Sequence, residues 1–274
     1  MEREGIMIKI NKPKGSVPDC LKYPPITAEA TNTQLARDNI IRTGNYNIRY
    51  NLLYKTKEIK AALNTVYNGK CGYCETPVKV YINNIGNVPD PDYQRTVEHY
   101  RPKSNYYWLA FSWDNLLITC SRCNRAKLDN FQIKGKQVIY DPKDLQKINE
   151  LADEYNELEK PDLIHPELED VESKLEFDEY GKISSSDSRV KYTITTHKLD
   201  RPFLNAERKT VLGNLAKVLN LMILENKGNE EKFQSSLQAL IENFAREANT
   251  RSFPYLAFRR FILKNFMKFF PELQ

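Results

Sequence analysis

Apolar residues repeat with a helical period in the middle and the last third of the chain, and with a period of two in shorter runs. Ile59, Leu63 and Val66 recur at helical spacing within KTKEIKAALNTVYNGK, and Gly69 marks the stop. Val211, Leu215, Val218 and Met222 keep an i, i+4, i+7, i+11 rhythm, EEKFQSSLQALIENFAREA is amphipathic at the same period, and a third helix is predicted after Pro254. Ile6, Ile8 and Ile10 alternate like a short strand until VPDCLKYPP interrupts regular structure. VKVYI at 78–82 reads as another strand-like run, with the turn-rich NNIGNVPDPDYQ after it. A hairpin or loop is expected around Tyr180 and Gly181. The pattern as a whole predicts an α+β, mainly helical chain.

Bulk composition narrows this only a little. With 274 residues, 41% of them hydrophobic and 28% charged, the chain can bury a core and carries no sign of long disorder. It divides into an N-terminal arm and helix (1–54), a cysteine-bearing core (55–142), an acidic connecting region (143–200) and a helical C-terminal region (201–274). No run approaches the roughly 20 apolar residues of a membrane span, and MEREGIMIKINKPKG lacks a signal-like apolar stretch, so the expected location is the cytoplasm with no membrane partner. A formal net charge of +5 permits a polyanionic partner without requiring one.

Cysteine spacing is more specific. Cys20 stands alone, whereas Cys71 with Cys74 and Cys120 with Cys123 form two C-x2-C pairs separated by a long loop. In a cytoplasmic chain such pairs are read first as a metal site and second as disulfides, and four thiolates at that bite favour structural Zn2+. An all-sulfur shell has no open position, so chemistry must come from elsewhere. The loop between the pairs holds Glu98 and His99: a neutral imidazole can take a proton from water near pH 7, and an adjacent carboxylate can hold a hard cation such as Mg2+ or Mn2+. Trp108 and Trp113 lie in YYWLAFSWDNLL and are expected in the core. His165 and His197 lack metal-ligand spacing and are expected to be structural or on the surface.

CGYC, VEHYRPKS, WDNL and CSRCNRAK together resemble an HNH endonuclease with a zinc-stapled ββα-metal (His-Me) finger, over residues 71–131. The resemblance implies that Glu98 and Asn124 bind one catalytic Mg2+ or Mn2+, that His99 activates the attacking water, and that Asn115 orients the histidine through the backbone near it. It makes Cys71, Cys74, Cys120 and Cys123 the structural zinc ligands. Arg101, Lys103, Arg122, Arg125 and Lys127 bracket this site and are the expected phosphate contacts. Glu98 stands where the family usually has Asp, and Asn124 where many members have His.

IYDP, LEFDEYGKI and ITTHKLDRPFLNAERK extend the likeness to the HNH component of Septu-type and retron-associated anti-phage systems. That implies an ABC- or SMC-like ATPase partner and, for the retron branch, a reverse transcriptase and its msDNA. The implied reaction is single-metal phosphodiester hydrolysis on DNA. A ribonuclease using the same site and a non-catalytic zinc-stapled nucleic-acid-binding module are the alternatives. RSFPYLAFRRFILKNFMKFF, with Arg260, Lys264 and Lys268 on one stripe and Phe258, Ile262, Phe266 and Phe269 on another, can dock internally, bind a partner or lie on a membrane.

Overall fold

The computed structural model describes residues 9–13, 15–79 and 90–273, which fall into two compact units, 9–169 and 170–273. Ile6, Ile8 and most of the VKVYI run lie outside the described residues.

In the first unit, helix α1 (Ala28–Thr43) begins where the Thr27 side chain accepts a hydrogen bond from Ala30 N and ends at Gly44, whose φ of 63° closes the last turn. Helix α2 (Lys57–Val66) is capped in the same way by Thr56 and buries Ile59 and Leu63, two of the three residues that announced it. Strand β1 (Arg95–His99) pairs antiparallel with β2 (Leu116–Cys120), in a register that sets Glu98 opposite Leu117 and His99 opposite Leu116. All five residues of β2 are buried. Helix α3 (Ser121–Lys127) follows β2 without a loop because the Cys120 sulfur caps it, accepting from Cys123 N at 3.4 Å. The result is a ββα unit with the Glu-His pair at the end of its first strand.

Its long β1–β2 connection is buried over much of its length. Tyr106, Trp108 and Leu109 join Val138, Ile148, Leu151 and Tyr155 in one apolar cluster, the last of these on helix α4 (Ala152–Glu159). Both tryptophans are core residues, as their apolar surroundings indicate. The N-terminal arm is also tied down: the Lys12 ammonium donates to Trp113 O and Leu116 O, each at 2.8 Å, and pairs with Glu167 at 2.8 Å. Helix α4 is pinned by its last residue. Glu159, fully buried, pairs with the Arg101 guanidinium at 2.8 Å and accepts from Tyr106 Oη and Val138 N.

The second unit opens with a hairpin of β3 (Glu176–Phe177) and β4 (Ile183–Ser184), turning at Gly181 as its sequence suggests. Glycine is required there: φ is 76°, and a Cβ would lie 2.5 Å from Asn205 O. Four helices follow, α5 (Ser188–His197), α6 (Pro202–Glu225), α7 (Glu230–Asn249) and α8 (Leu256–Lys264), with a final turn α9 (Phe266–Phe269). Phe258 and Ile262 are buried in this unit and Phe177 packs against Phe258 and Phe261, so the C-terminal aromatic stripe docks internally. On α6 the buried side is centred on Leu215 and Leu219, and Val218, part of the helical rhythm read from the sequence, turns to water. Among the described residues no helix is long and apolar enough to cross a membrane.

Because Glu159 neutralises a guanidinium that has no access to water, Glu159→Ala should destabilise the first unit by roughly 3–5 kcal/mol. The chain's two tryptophans both lie in this unit, so urea unfolding followed by fluorescence reads it directly. An unchanged midpoint would contradict the pinning role of the pair.

Candidate active site

Four sulfurs gather where the turn after α2 meets the junction of β2 and α3. Cys71, Cys74, Cys120 and Cys123 are all buried, and their ligand atoms lie within 4.8 Å of one another. Cys74 Sγ and Cys120 Sγ are 3.8 Å apart. A tetrahedral ion with metal–sulfur bonds of about 2.3 Å requires an edge of about 3.8 Å, so the cluster fits one such ion. Burial pushes the Cys71 thiol well up. Hydrogen bonds from the neighbouring thiols, Cys120 first, do the same to Cys123, so these two give up their protons only with a cation beside them. Gly72 permits this close turn: a Cβ there would sit 2.6 Å from the Tyr67 ring and 3.3 Å from Ile118 O.

Beside the cluster opens a cleft of about 540 Å³ onto which Glu98, His99 and Asn124 all converge, from β1 and α3. Each is oriented by a bond whose chemistry leaves one choice. His99 Nε2 lies 3.0 Å from Ala110 O, and a carbonyl only accepts, so the ring proton is on Nε2 and the lone pair on Nδ1. Burial, and then the Lys103 ammonium, push the His99 pKa down to about 3, which keeps the imidazole neutral at pH 7. Tyr54 packs edge-on against it with ring centroids 4.5 Å apart. Asn124 reaches Thr96 Oγ1 at 3.1 Å and Val97 O at 3.4 Å. The second partner fixes Nδ2 as the atom facing the strand, so Oδ1 is left to accept.

Asn115 sits behind the cleft. Its Oδ1 accepts from Arg101 N at 2.7 Å and its Nδ2 donates to Arg101 O and Leu109 O, clamping the backbone next to His99 and next to Ala110, the carbonyl that His99 uses.

Two of the five expected phosphate contacts face inward instead. Lys127 is fully buried, pairing with Glu98 Oε1 at 2.9 Å and donating to His99 O at 2.9 Å. Arg101 is committed to Glu159, and neither can reach a ligand in solvent. A charged residue in a motif looks like surface in the sequence, but here each meets a buried carboxylate whose desolvation it offsets. Burial raises the Glu98 pKa, with Lys127 pulling against that rise. Arg122 is half-exposed, lies 3.7 Å from Asp92 and is not among the residues lining the cleft. Lys103 and Arg125 do line it.

Lys55, Lys60 and Arg95 line the cleft as well, and sequence reasoning missed them. They carried no local signal. The segment before and within α2 reads as an ordinary amphipathic helix, and only the packing of that helix on the ββα unit turns its lysines toward Glu98 and His99.

Residues 71–130 match the family model described as HNH endonuclease. This segment is an HNH domain. Over 173 residues the chain is 32% identical to the Septu protein PtuB of Bacillus mycoides (strain KBAB4), covering 58% of this chain and 52% of that protein. It is 28% identical over 174 residues to the Septu protein PtuA of the same strain, covering 58% of this chain and 21% of that protein. A Bacillus thuringiensis Septu protein PtuB is 38% identical over 69 residues, 25% of this chain and 23% of that protein. The chain thus spans about half the length of the first of these relatives and under a quarter of the others. The HNH domain lies where the four cysteines, the Glu-His pair and Asn124 meet.

The Lys127–Glu98 pair inside the HNH domain is open to a double-mutant cycle. Lys127→Met strands a buried carboxylate and should cost roughly 3–5 kcal/mol, whereas adding Glu98→Gln should recover most of that loss. Chemical denaturation of the three variants and wild type gives the coupling, and additive losses would show that the pair does not hold α3 to β1.

Proposed function

We propose that the chain is a metal-dependent nuclease that hydrolyses nucleic-acid phosphodiester bonds, DNA in the first instance, as the effector of a Septu-type anti-phage system. The observation that carries this reading is the convergence of Glu98, His99 and Asn124 on one cleft whose rim is basic: Lys55, Lys60, Arg95, Lys103 and Arg125 against Asp129. In the proposed reaction His99 Nδ1 accepts the proton of the attacking water, while Ala110 and Tyr54 keep the ring from turning away. Glu98 and Asn124 Oδ1 offer the hard oxygen donors that suit Mg2+ or Mn2+. Such an ion, when bound, supplies charge neutralisation at the scissile phosphate. The five basic side chains would hold the flanking phosphates, taking the place of Arg101 and Lys127.

The four-sulfur cluster is proposed to hold Zn2+ as a structural ion. Similarity to Septu proteins supports the defence role and a partner protein, for which the sequence resemblance suggests an ABC- or SMC-like ATPase. A retron reverse transcriptase with its msDNA rests on that resemblance alone. A binding module without catalysis would need the sulfur cluster, yet it has no use for a neutral imidazole held in one tautomer at the floor of a basic cleft.

The decisive experiment is cleavage of plasmid DNA and of a mixed RNA pool by wild type and His99→Ala, with Mg2+ or Mn2+ and with chelator, alone and with the ATPase partner. Wild type should cut DNA only with the metal, and the variant should lose about 10²–10⁴-fold. Normal turnover by His99→Ala would remove the proposed base, and cutting of RNA alone would change the polymer. Metal analysis should find one zinc per chain, lost together with thermal stability in Cys71→Ser. Retention of zinc by that variant would contradict the four-cysteine site.

A further inference from the structure

The last three turns of α6 present an apolar face that is exposed among the described residues. Val218, Leu221 and Leu224 are 45%, 58% and 71% exposed, while Leu215 and Leu219, on the other side of the same helix, are buried. Spacing of three residues puts the exposed trio on one stripe. Burying three large aliphatic side chains is worth several kcal/mol, so a stripe of this kind left in water favours association.

What covers it is indicated by the charges on either side. Lys217 and Glu225, both exposed, stand four residues before and four residues after Leu221. If two α6 helices pack antiparallel with the axis at Leu221, position i of one faces position 442 − i of the other. Leu221 then meets Leu221, Val218 meets Leu224, and Lys217 meets Glu225, twice over. A parallel pair would instead set Lys217 on Lys217 and Glu225 on Glu225, which like-charge repulsion opposes. The stripe is thus self-complementary in one orientation, in the manner of a two-fold interface, where the same patch serves both subunits.

We propose that this face is a homodimer contact, with α6 packing antiparallel on α6 of a second copy. The patch is narrow, well below the area of a standard stable interface, so the dimer is a weak one that forms at high protein concentration or when two copies are held close together.

Sedimentation equilibrium of the full chain over a range of concentrations tests this. Wild type should show reversible monomer–dimer exchange, and Leu221→Glu should abolish it. Lys217→Glu and Glu225→Lys should each weaken the dimer by about tenfold, and the double swap should restore it, because each pair is attractive again with its sign reversed. All three substitutions are at exposed positions, and circular dichroism checks that helix content is unchanged. A chain that stays monomeric at every concentration would overturn the proposal. So would a dimer indifferent to Leu221→Glu, or single swaps that the double swap does not rescue.

Discussion

The four buried sulfurs of Cys71, Cys74, Cys120 and Cys123 are the constraint on which the rest of the first unit depends. They bring the turn after α2 against the junction of β2 and α3, which are far apart in sequence, and an ion held among them would close that long loop and offset its entropy. Cys120 serves twice, as a member of the cluster and as the cap that starts α3 directly from the strand. The position of Asn124, one residue beyond Cys123, is therefore set by the cluster itself. The same linkage brings α2, with Lys60, against the mouth of the cleft.

Behind the cleft the protein keeps its charges paired. Lys127 neutralises Glu98 from the buried side of α3, and Arg101 neutralises Glu159 at the end of α4. Such pairs contribute little net stability compared with apolar packing, because desolvation offsets most of the attraction. Their effect is on geometry: Lys127 Nζ also holds His99 O, so one ammonium locates both members of the Glu-His pair. Asn115 adds a second clamp on the same stretch of backbone. The imidazole at the centre thus has a fixed ring orientation, a fixed tautomer and a neutral charge state.

Positive charge is divided between two roles by burial. Lys12, Arg101 and Lys127 are internal and matched to Glu167, Glu159 and Glu98, whereas Lys55, Lys60, Arg95, Lys103 and Arg125 face the cleft. The modest net charge of the chain conceals this sorting. The second unit follows a different logic, a hairpin and helices packed through Phe177, Phe258 and Leu219, with apolar surface left over on α6.

What the sequence determined by itself was local. The C-x2-C spacing, the adjacent Glu98 and His99, the asparagine after Cys123 and the i, i+4 rhythm of α2 are legible because each is a short pattern whose meaning does not depend on distant residues. The tryptophan-rich run read correctly as core for the same reason. Tertiary structure decided whatever depends on what lies opposite. Lys127 and Arg101 went inward because buried carboxylates from β1 and α4 face them, and Lys55 and Lys60 became part of the cleft because the fold lays the α2 region beside it. The face of α6 turned so that Leu219 packs inside and Val218 does not, since a helix that is apolar on several sides is oriented by its neighbours and not by its own periodicity. Spacing along a chain specifies which groups can form a motif, while desolvation and packing in three dimensions select which charges reach a ligand.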